Sequence, residues 1–502
     1  MQASADDTCV ALIRIDIEAN EILTPAARQE LIRPFLGACI DAELPRQILS
    51  RISDYFIDNG YVTTRPYLLE QDISDGQIEI RILVGTIEAV VDADSGHGNT
   101  KITTAFLFNG EILNLRELET SLETIERVPS VQAEFEIRPG TRQGSSIVAI
   151  KTTELNPLRL ELSANAQTDL DSQVSFQASL DNLLNINDVL EVRFNSGEVR
   201  ETYQSNRSRE LAYSFPLGGY LLALNHSDIV YKQRIQGINE SLVANGDTVA
   251  DKLRISKVAA RNQTHKFTLA LSLELKDTQN FLENELIKVS SYKTSQLQFE
   301  MQHDWYRPWG KLATGYIFHQ GLDSFGARDD GYFTRVDGAE SEARLQFEKF
   351  SVDSQMLYYL EDPAWQLSLN LHLQYSEDIL FDSDKLNLGS PYTVRGYSSA
   401  LSGSNAWYLR GDITRQLKSV LNPVSGNALI KSIALSFGVD YGEVKCEIDN
   451  PDTCGEIYGA GLGLVVWDSN FSGRLLWGHP LKQIGDDIGS KDRFLLDLRW
   501  AL

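Results

Sequence analysis

The side chains that could do chemistry in this sequence are few, and their spacing does not suit it. Seven histidines are scattered along 502 residues. None belongs to an H-E-x-x-H pair, no serine sits in G-x-S-x-G, and no phosphate-binding or calcium-binding loop occurs. "GAGLGL" (Gly459–Leu464) is superficially like a dinucleotide fingerprint. It runs into "VVW" instead of a helix, so its glycines read as strand positions where another segment comes close. His372, on the polar face of an alternating run, reads as a solvated residue and not a metal ligand. The four cysteines, Cys9, Cys39, Cys446 and Cys454, include no C-x-x-C. They fall into two sequence-local pairs, which suggests two disulfides and an oxidising compartment; four separate buried thiols are the alternative. No catalytic, metal or cofactor site emerges. One charge stands out. Arg395 lies alone, with no acidic residue beside it, in the small, turn-prone stretch "SPYTVRGYSSALSG" (Ser390–Gly403). On composition it reads as a solvated loop charge.

The elements around these residues fall into two regions with different periods. Up to about residue 154 the chain reads as mixed α/β. "VALIRIDI" (Val10–Ile17) predicts a strand with Ile13, Ile15 and Ile17 on one face. Thr24-Pro25 opens a helix, with Thr as N-cap and Pro at its first position. Pro45–Asn59 places Ile48, Leu49, Ile52, Tyr55 and Phe56 on one helical stripe, and Gly60 closes it. "QIEIRILV" alternates as a strand. The order β-α-α-β-β then repeats in part. A strand near Ile87–Val91 precedes "LNLRELETSLETIERV", with Leu115, Leu118, Leu122 and Ile125 on a stripe, and two further strands. Two small α+β units in tandem are expected, at residues 1–84 and 85–154.

After Pro157 the period is two and stays two. "LRLELSANAQ", "KFTLALSLEL" and "WQLSLNLHLQY" each put apolar residues on one face and polar ones on the other. Residues 157–502 divided among 16 strands leave roughly 21 residues for each strand and its turn, a workable figure for a spanning barrel. No apolar run approaches the roughly 20 residues of a spanning helix, and alternation hides lipid-facing residues from a hydropathy scan. The chain ends in "DRFLLDLRWAL", with Phe494, Leu496, Leu498, Trp500 and Leu502 on one face. A soluble sheet seldom ends on such a sticky edge; a barrel closes it against its first strand. The formal net charge of −24, from 70 acids and 46 bases, excludes nucleic acid as a partner, since phosphate binding needs a basic surface.

Four stretches resemble the TpsB transporters of bacterial two-partner secretion, within the Omp85 superfamily. Gly37–Val90, with "NGYVTTR" and "DISDGQIEI", is similar to the family's first POTRA domain, and "GEILNLRELETSLETIERVPS" to its second. "VRGY" (Val394–Tyr397) matches the signature of a long loop that folds back into the barrel. "FGVDYG" (Phe437–Gly442) resembles the family's F-x-D-x-G strand motif. The resemblance covers essentially the whole chain. It implies two α+β POTRA domains followed by a 16-stranded antiparallel transmembrane β-barrel at 155–502, with an inward-folded loop around 382–405. It implies that Arg395 of the first motif reaches Asp440 of the second, with Val394, Gly396, Tyr397, Phe437 and Gly442 shaping the latch.

The implied function is export of a large exoprotein from periplasm to cell surface without ATP. The class of client is an adhesin, a haemolysin or a contact-dependent inhibition toxin, with the first and last favoured. The other implied partners are outer-membrane lipids and lipopolysaccharide, around a monomer with no cofactor, its POTRA domains in the periplasm. Client strands would add to a POTRA sheet edge, and a groove at Ile48, Ile52 and Phe56 would take client side chains, although the same stripe would serve as core. An assembly factor of the same superfamily and a passive porin with a periplasmic arm are the rival readings. The family commonly carries a plug helix ahead of the first POTRA domain. Here at most eight residues precede Cys9, so either the chain starts downstream of that helix or it lacks it, and the folded-in loop alone would then obstruct the pore.

Overall fold

The structure is a computed structural model. It describes residues 10–18, 22–106, 110–168, 170–198, 205–236, 240–330, 343–398, 400–417, 420–421, 428–430, 432–447, 451–483 and 491–501. The chain divides into two compact units, Met1–Leu155 and Asn156–Leu502.

The first unit holds two three-stranded sheets. In the first module, β1 (Arg14–Ile17), α1 (Pro25–Ile32), α2 (Leu44–Asp58), β2 (Arg65–Leu68) and β3 (Gln77–Leu83) give the sheet order β1-β3-β2, with β1 parallel to β3. Thr24 caps α1 by accepting from the Ala27 N–H at 3.2 Å, and Gly60 ends α2 with φ of +89°. The alternation expected of "VALIRIDI" slips at its start. Leu12 is buried while Ile13 is 72% exposed, because the N–H groups of Ile13 and Arg14 both donate to the Gly76 carbonyl. Two residues there oppose one, as in a β-bulge, and the face changes.

The second module has β4 (Thr86–Asp92), α3 (Thr100–Ala105), α4 (Leu115–Glu126), β5 (Val131–Pro139) and β6 (Ser145–Glu154), in the order β4-β6-β5. The short α3 was not legible as a stripe; Asn99 starts it by capping the Ile102 N–H at 3.0 Å. Leu118 and Ile125 of α4 are fully buried, and Leu115 and Leu122 are half-buried. The modules meet through hydrogen bonds: Leu115 N–H donates to Gly60 O at 2.8 Å, and Gly85 N–H to the buried Thr64 hydroxyl at 3.1 Å.

The second unit is a closed barrel of 16 antiparallel strands. They are β7 (Leu158–Gln167), β8 (Leu170–Asp181), β9 (Val189–Glu198), β10 (Ser205–Leu217), β11 (Tyr220–Gln236), β12 (Ser241–Arg261), β13 (His265–Leu282), β14 (Tyr292–Arg307), β15 (Gly310–Leu322), β16 (Glu348–Tyr359), β17 (Trp365–Tyr375), β18 (Ala406–Leu417), β19 (Ser432–Val444), β20 (Gly455–Trp467), β21 (Phe471–Pro480) and β22 (Arg493–Ala501). β22 closes on β7, pairing Trp500 with Leu162 and Leu496 with Ala166. No described helix is long and apolar enough to cross a membrane; the strands supply the apolar belt. Leu162, Leu211, Phe299, Leu475, Phe494 and Trp500 are exposed on the outer face, while the inner face carries paired charges such as Arg193–Glu210 at 3.2 Å and Arg159–Asp181 at 2.9 Å. His372 belongs to that inner set, bonded to Asp353 at 2.5 Å. At the end with short turns, cations lie over aromatic rings: Lys257 over Tyr220, Arg307 over Trp305 and Arg415 over Trp365, each about 5 Å from the centroid. Amphipathic side chains of this kind mark a membrane–water boundary.

Candidate functional site

The site lies on the inner faces of four neighbouring strands. Period-two alternation decides which residues meet there. On β18 the outward positions are Leu409 and Ile413, so Arg410 and Asp412 point inward; on β19 Phe437 and Val439 point outward, so Gly438, Asp440 and Gly442 point inward. Register then aligns two rows across the wall. One runs Asp412, Gly438, Gly461, Gly478; the other runs Arg410, Asp440, Gly459, Pro480. Three glycines side by side on adjacent strands leave a trough with no side chains.

Arg395 fills that trough. It arrives on the loop between β17 and β18, residues 376–405, and is 1% exposed. Its shaft lies along the glycine row. A Cβ added at Gly478 would come 3.0 Å from the Arg395 Cβ, one at Gly461 would come 2.6 Å from its Cδ, and one at Gly438 would overlap its guanidinium. The head is then gripped by two carboxylates. Nε donates to Asp440 Oδ2 at 2.6 Å and Nη2 to Oδ1 at 2.5 Å, while the Arg395 backbone N–H also reaches Oδ2 at 3.0 Å. Nη1 donates to Asp412 Oδ1 at 2.6 Å. Asp412 Oδ2 in turn accepts from Arg410 Nε at 3.1 Å, and Arg410 Nη1 donates to the Pro391 carbonyl of the loop. The cluster is two cations and two anions, nearly dry. A bidentate Arg–carboxylate pair fixes orientation as well as position.

The rest of the loop is built around that contact. Gly396 has φ of +87°, and a Cβ there would overlap the His479–Pro480 backbone, so both conformation and space require glycine. The Tyr397 hydroxyl sits 2.8 Å from the Tyr458 carbonyl and 2.5 Å from that of Lys482. A small apolar cluster, Leu388, Val394, Tyr397, Leu401, Val444 and Ile457, is buried between loop and wall. The two ends of the loop pair as a ribbon, Leu386–Leu388 with Leu401–Gly403. Thr453, in the turn closed by the Cys446–Cys454 disulfide, bonds both backbone groups of Ser402. Cys39 is also disulfide-bonded; Cys9 lies outside the described residues.

Two expectations change against this geometry. Phe437 takes no part in the latch. It stands three residues before Asp440, where F-x-D-x-G would have two and Gly438 holds that place; the separation is odd in a strand, and Phe437 is 50% exposed on the outer face. Ile48, Ile52 and Phe56 form no groove. They are 1%, 1% and 0% exposed and pack in the core of the first module against Ile15, Ile78 and Ile80. Asp412, Arg410, Gly438 and Gly478 were missed. Alternation in "WYLRGDITRQL" already put Arg410 and Asp412 on a polar face, but only register reveals that they adjoin Asp440. The glycines of "GAGLGL" do mark a close approach, and the approaching segment is Arg395.

A POTRA pair ahead of a 16-stranded barrel whose lumen is occupied by an arginine-pinned loop defines a protein of the Omp85 type. The comparisons with known proteins narrow that class. Residues 144–466 match the family described as haemolysin secretion/activation protein ShlB/FhaC/HecB, and 10–85 and 86–139 match POTRA domains, the first of ShlB type. The chain belongs to the ShlB/FhaC/HecB family. It is 28% identical over 480 residues to an outer membrane transporter CdiB of Dickeya dadantii, covering 94% of this chain and 83% of that one. It is 27% identical over 488 residues to an outer membrane transporter CdiB of Escherichia coli, covering 95% and 80%. Its fold matches a solved CdiB from Escherichia coli with a TM-score of 0.87 at 24% identity, covering 100% of this chain and 93% of that one.

Proposed function

We propose that this protein is a two-partner secretion transporter of the outer membrane, passing one large unfolded exoprotein through its barrel. The observation that carries the reading is the seated loop. A 16-stranded barrel is wide enough for an aqueous channel, and here part of that space is taken by residues 376–405, held by the Arg395–Asp440–Asp412 contacts. A pore that only passed small solutes would have no need of so specific a clasp. The loop must move aside for a polypeptide, so the arginine acts as a latch between a resting and a passing state. The POTRA modules lie in the periplasm, and outer-membrane lipids including lipopolysaccharide surround a single barrel. No ATP is used; folding of the client outside the cell makes its exit irreversible.

Client capture uses strand addition. β5 pairs with no other strand on its outer edge among the described residues; there the Val131 and Ala133 N–H groups are already held by the Val128 carbonyl and Glu126 and Pro139 has none, so the stretch from Phe135 to Ile137 is the part that can bond an extended segment. The relatives named CdiB favour a contact-dependent inhibition toxin as client. The test is secretion: cells carrying this protein and a candidate large exoprotein from the same genome should release or display that exoprotein, and cells without this protein should not. Unchanged export in its absence, or steady small-solute conductance with no client present, would overturn the reading in favour of another exporter or a porin.

A further inference from the structure

We propose that Arg410 is a replacement cation, which takes over Asp440 when Arg395 leaves and so makes loop withdrawal reversible. This rests on Arg395–Asp440 being the latch. Arg410 and Asp440 are directly opposite each other in the β18–β19 register, close enough for side chains to meet. Yet in the seated state they do not bond. Asp440 is fully engaged by Arg395, and Arg410 is turned aside to Asp412 Oδ2 and the Pro391 carbonyl. Pro391 belongs to the same loop as Arg395, so withdrawal removes both of the loop's claims at once. Asp440 loses its cation at the moment Arg410 loses its carbonyl.

The charge count shows what this accomplishes. With the loop seated, Arg395 and Arg410 balance Asp412 and Asp440. With the loop withdrawn, the wall keeps Arg410 against two carboxylates on adjacent strands, and the guanidinium has enough donors to bridge them. Without Arg410 the only other cation lining the cavity beside Asp412, among the described residues, is Arg474, which bonds neither carboxylate, and like charges on adjacent strands repel. Arg410 is therefore a positioning residue that lowers the cost of the open state while doing little for the closed one. An alternative role has the opposite sign. If Arg410 were only a second tether through Pro391, its loss would free the loop.

Single-channel recording of the full-length protein in planar phospholipid bilayers separates the two, with heat-modifiable gel mobility as the check on barrel assembly. Arg410→Gln should lower the open probability by at least about fivefold, the lower end of ordinary coupling free energies. The deficit should shrink in high salt, which screens bare carboxylates. Arg410→Gln opening more often than wild type, or as often, overturns the proposal. Arg410→Lys carries the test where Gln does not assemble. It keeps the charge and loses the fork that joins Asp412 to Pro391, so charge replacement gives near-wild-type openings and a tether gives more. Arg395→Ala, measured alongside, tests the latch separately: it should open more often whichever role Arg410 has.

Discussion

Adding one methyl group at Gly461 should unseat the latch without touching any charge. A Cβ at that position would lie 2.6 Å from Arg395 Cδ and 3.0 Å from both Arg395 Nε and the Trp477 carbonyl oxygen. Carbon–carbon contact is comfortable at about 3.5–4.0 Å, so the arginine shaft must rise by about 1 Å. It cannot swing away, because its backbone N–H and its head are both fixed on Asp440. A rise of that size takes the 2.5 and 2.6 Å bonds to Asp440 past the range of a hydrogen bond. Two bonds to charged groups, at about 1.5–3 kcal/mol each, amount to about 3 kcal/mol or more, which is roughly a hundredfold in the ratio of seated to withdrawn loop. The assay is single-channel conductance of Gly461→Ala beside Leu462→Ala, the next residue, on the outer face. Gly461→Ala should stand open far more often, Leu462→Ala should behave as wild type, and both barrels should assemble. Wild-type closure of Gly461→Ala would refute the seating of Arg395 in a glycine trough.

Other outcomes follow from the same structure. Phe56→Ala in the first module should cost about 3–5 kcal/mol of that module's stability, seen as early protease cleavage of its residues; a stable module with weakened client binding would restore the groove reading. Leu475→Arg on the outer face should cost about 2–4 kcal/mol near the bilayer midplane and reduce assembled barrel, whereas Gln173→Arg, on the inner face, should be tolerated. Glu88 ties down the β5–β6 turn, accepting from the Thr141 N–H and hydroxyl at 2.8 Å each and from the Ser145 hydroxyl at 2.5 Å. These bonds, the Ser145 hydroxyl first, hold its carboxyl down at about 2 instead of the ordinary 4.5. A depressed carboxylate stabilises the fold fully above the unfolded value and loses that effect as pH falls through the folded one. Protection of the Thr141 amide, corrected for intrinsic exchange, should therefore hold down to about pH 4.5 and decline toward pH 2, and Glu88→Gln should remove the pH dependence.

Much of the fold was legible because both periods are strong. Leu118 and Ile125 declare α4, and the row from Phe494 to Trp500 declares a lipid-facing strand that closes on Leu162. The failures have local causes. Ile13 is turned outward by a shared carbonyl at Gly76, which no side-chain pattern encodes. The helix at Thr100–Ala105 is too short to show a stripe. Of the site, Arg395 and Asp440 were reached only through family motifs, since nothing within "SPYTVRGYSSALSG" points to a carboxylate 45 residues away. Asp412 and the glycine trough depend on register among β18, β19, β20 and β21, and alternation fixes a residue's face but not its neighbour on the next strand. Phe437 is a different case: it stands three residues before Asp440, so alternation alone already puts the two on opposite sides of the wall.

Locking the loop in place tests the central claim most directly. Gly442 faces Val394, whose Cγ2 would lie 2.8 Å from a Cβ added at Gly442, so Val394→Cys with Gly442→Cys can join loop to wall. Export of the partner exoprotein is then followed with the new disulfide formed and again after reduction, with wild type taken through the same steps. If the loop must leave its seat for a chain to pass, the oxidised pair stops export and reduction restores it to the wild-type rate. Export at the wild-type rate while the cross-link is fully formed would show that the polypeptide does not need Arg395 to let go.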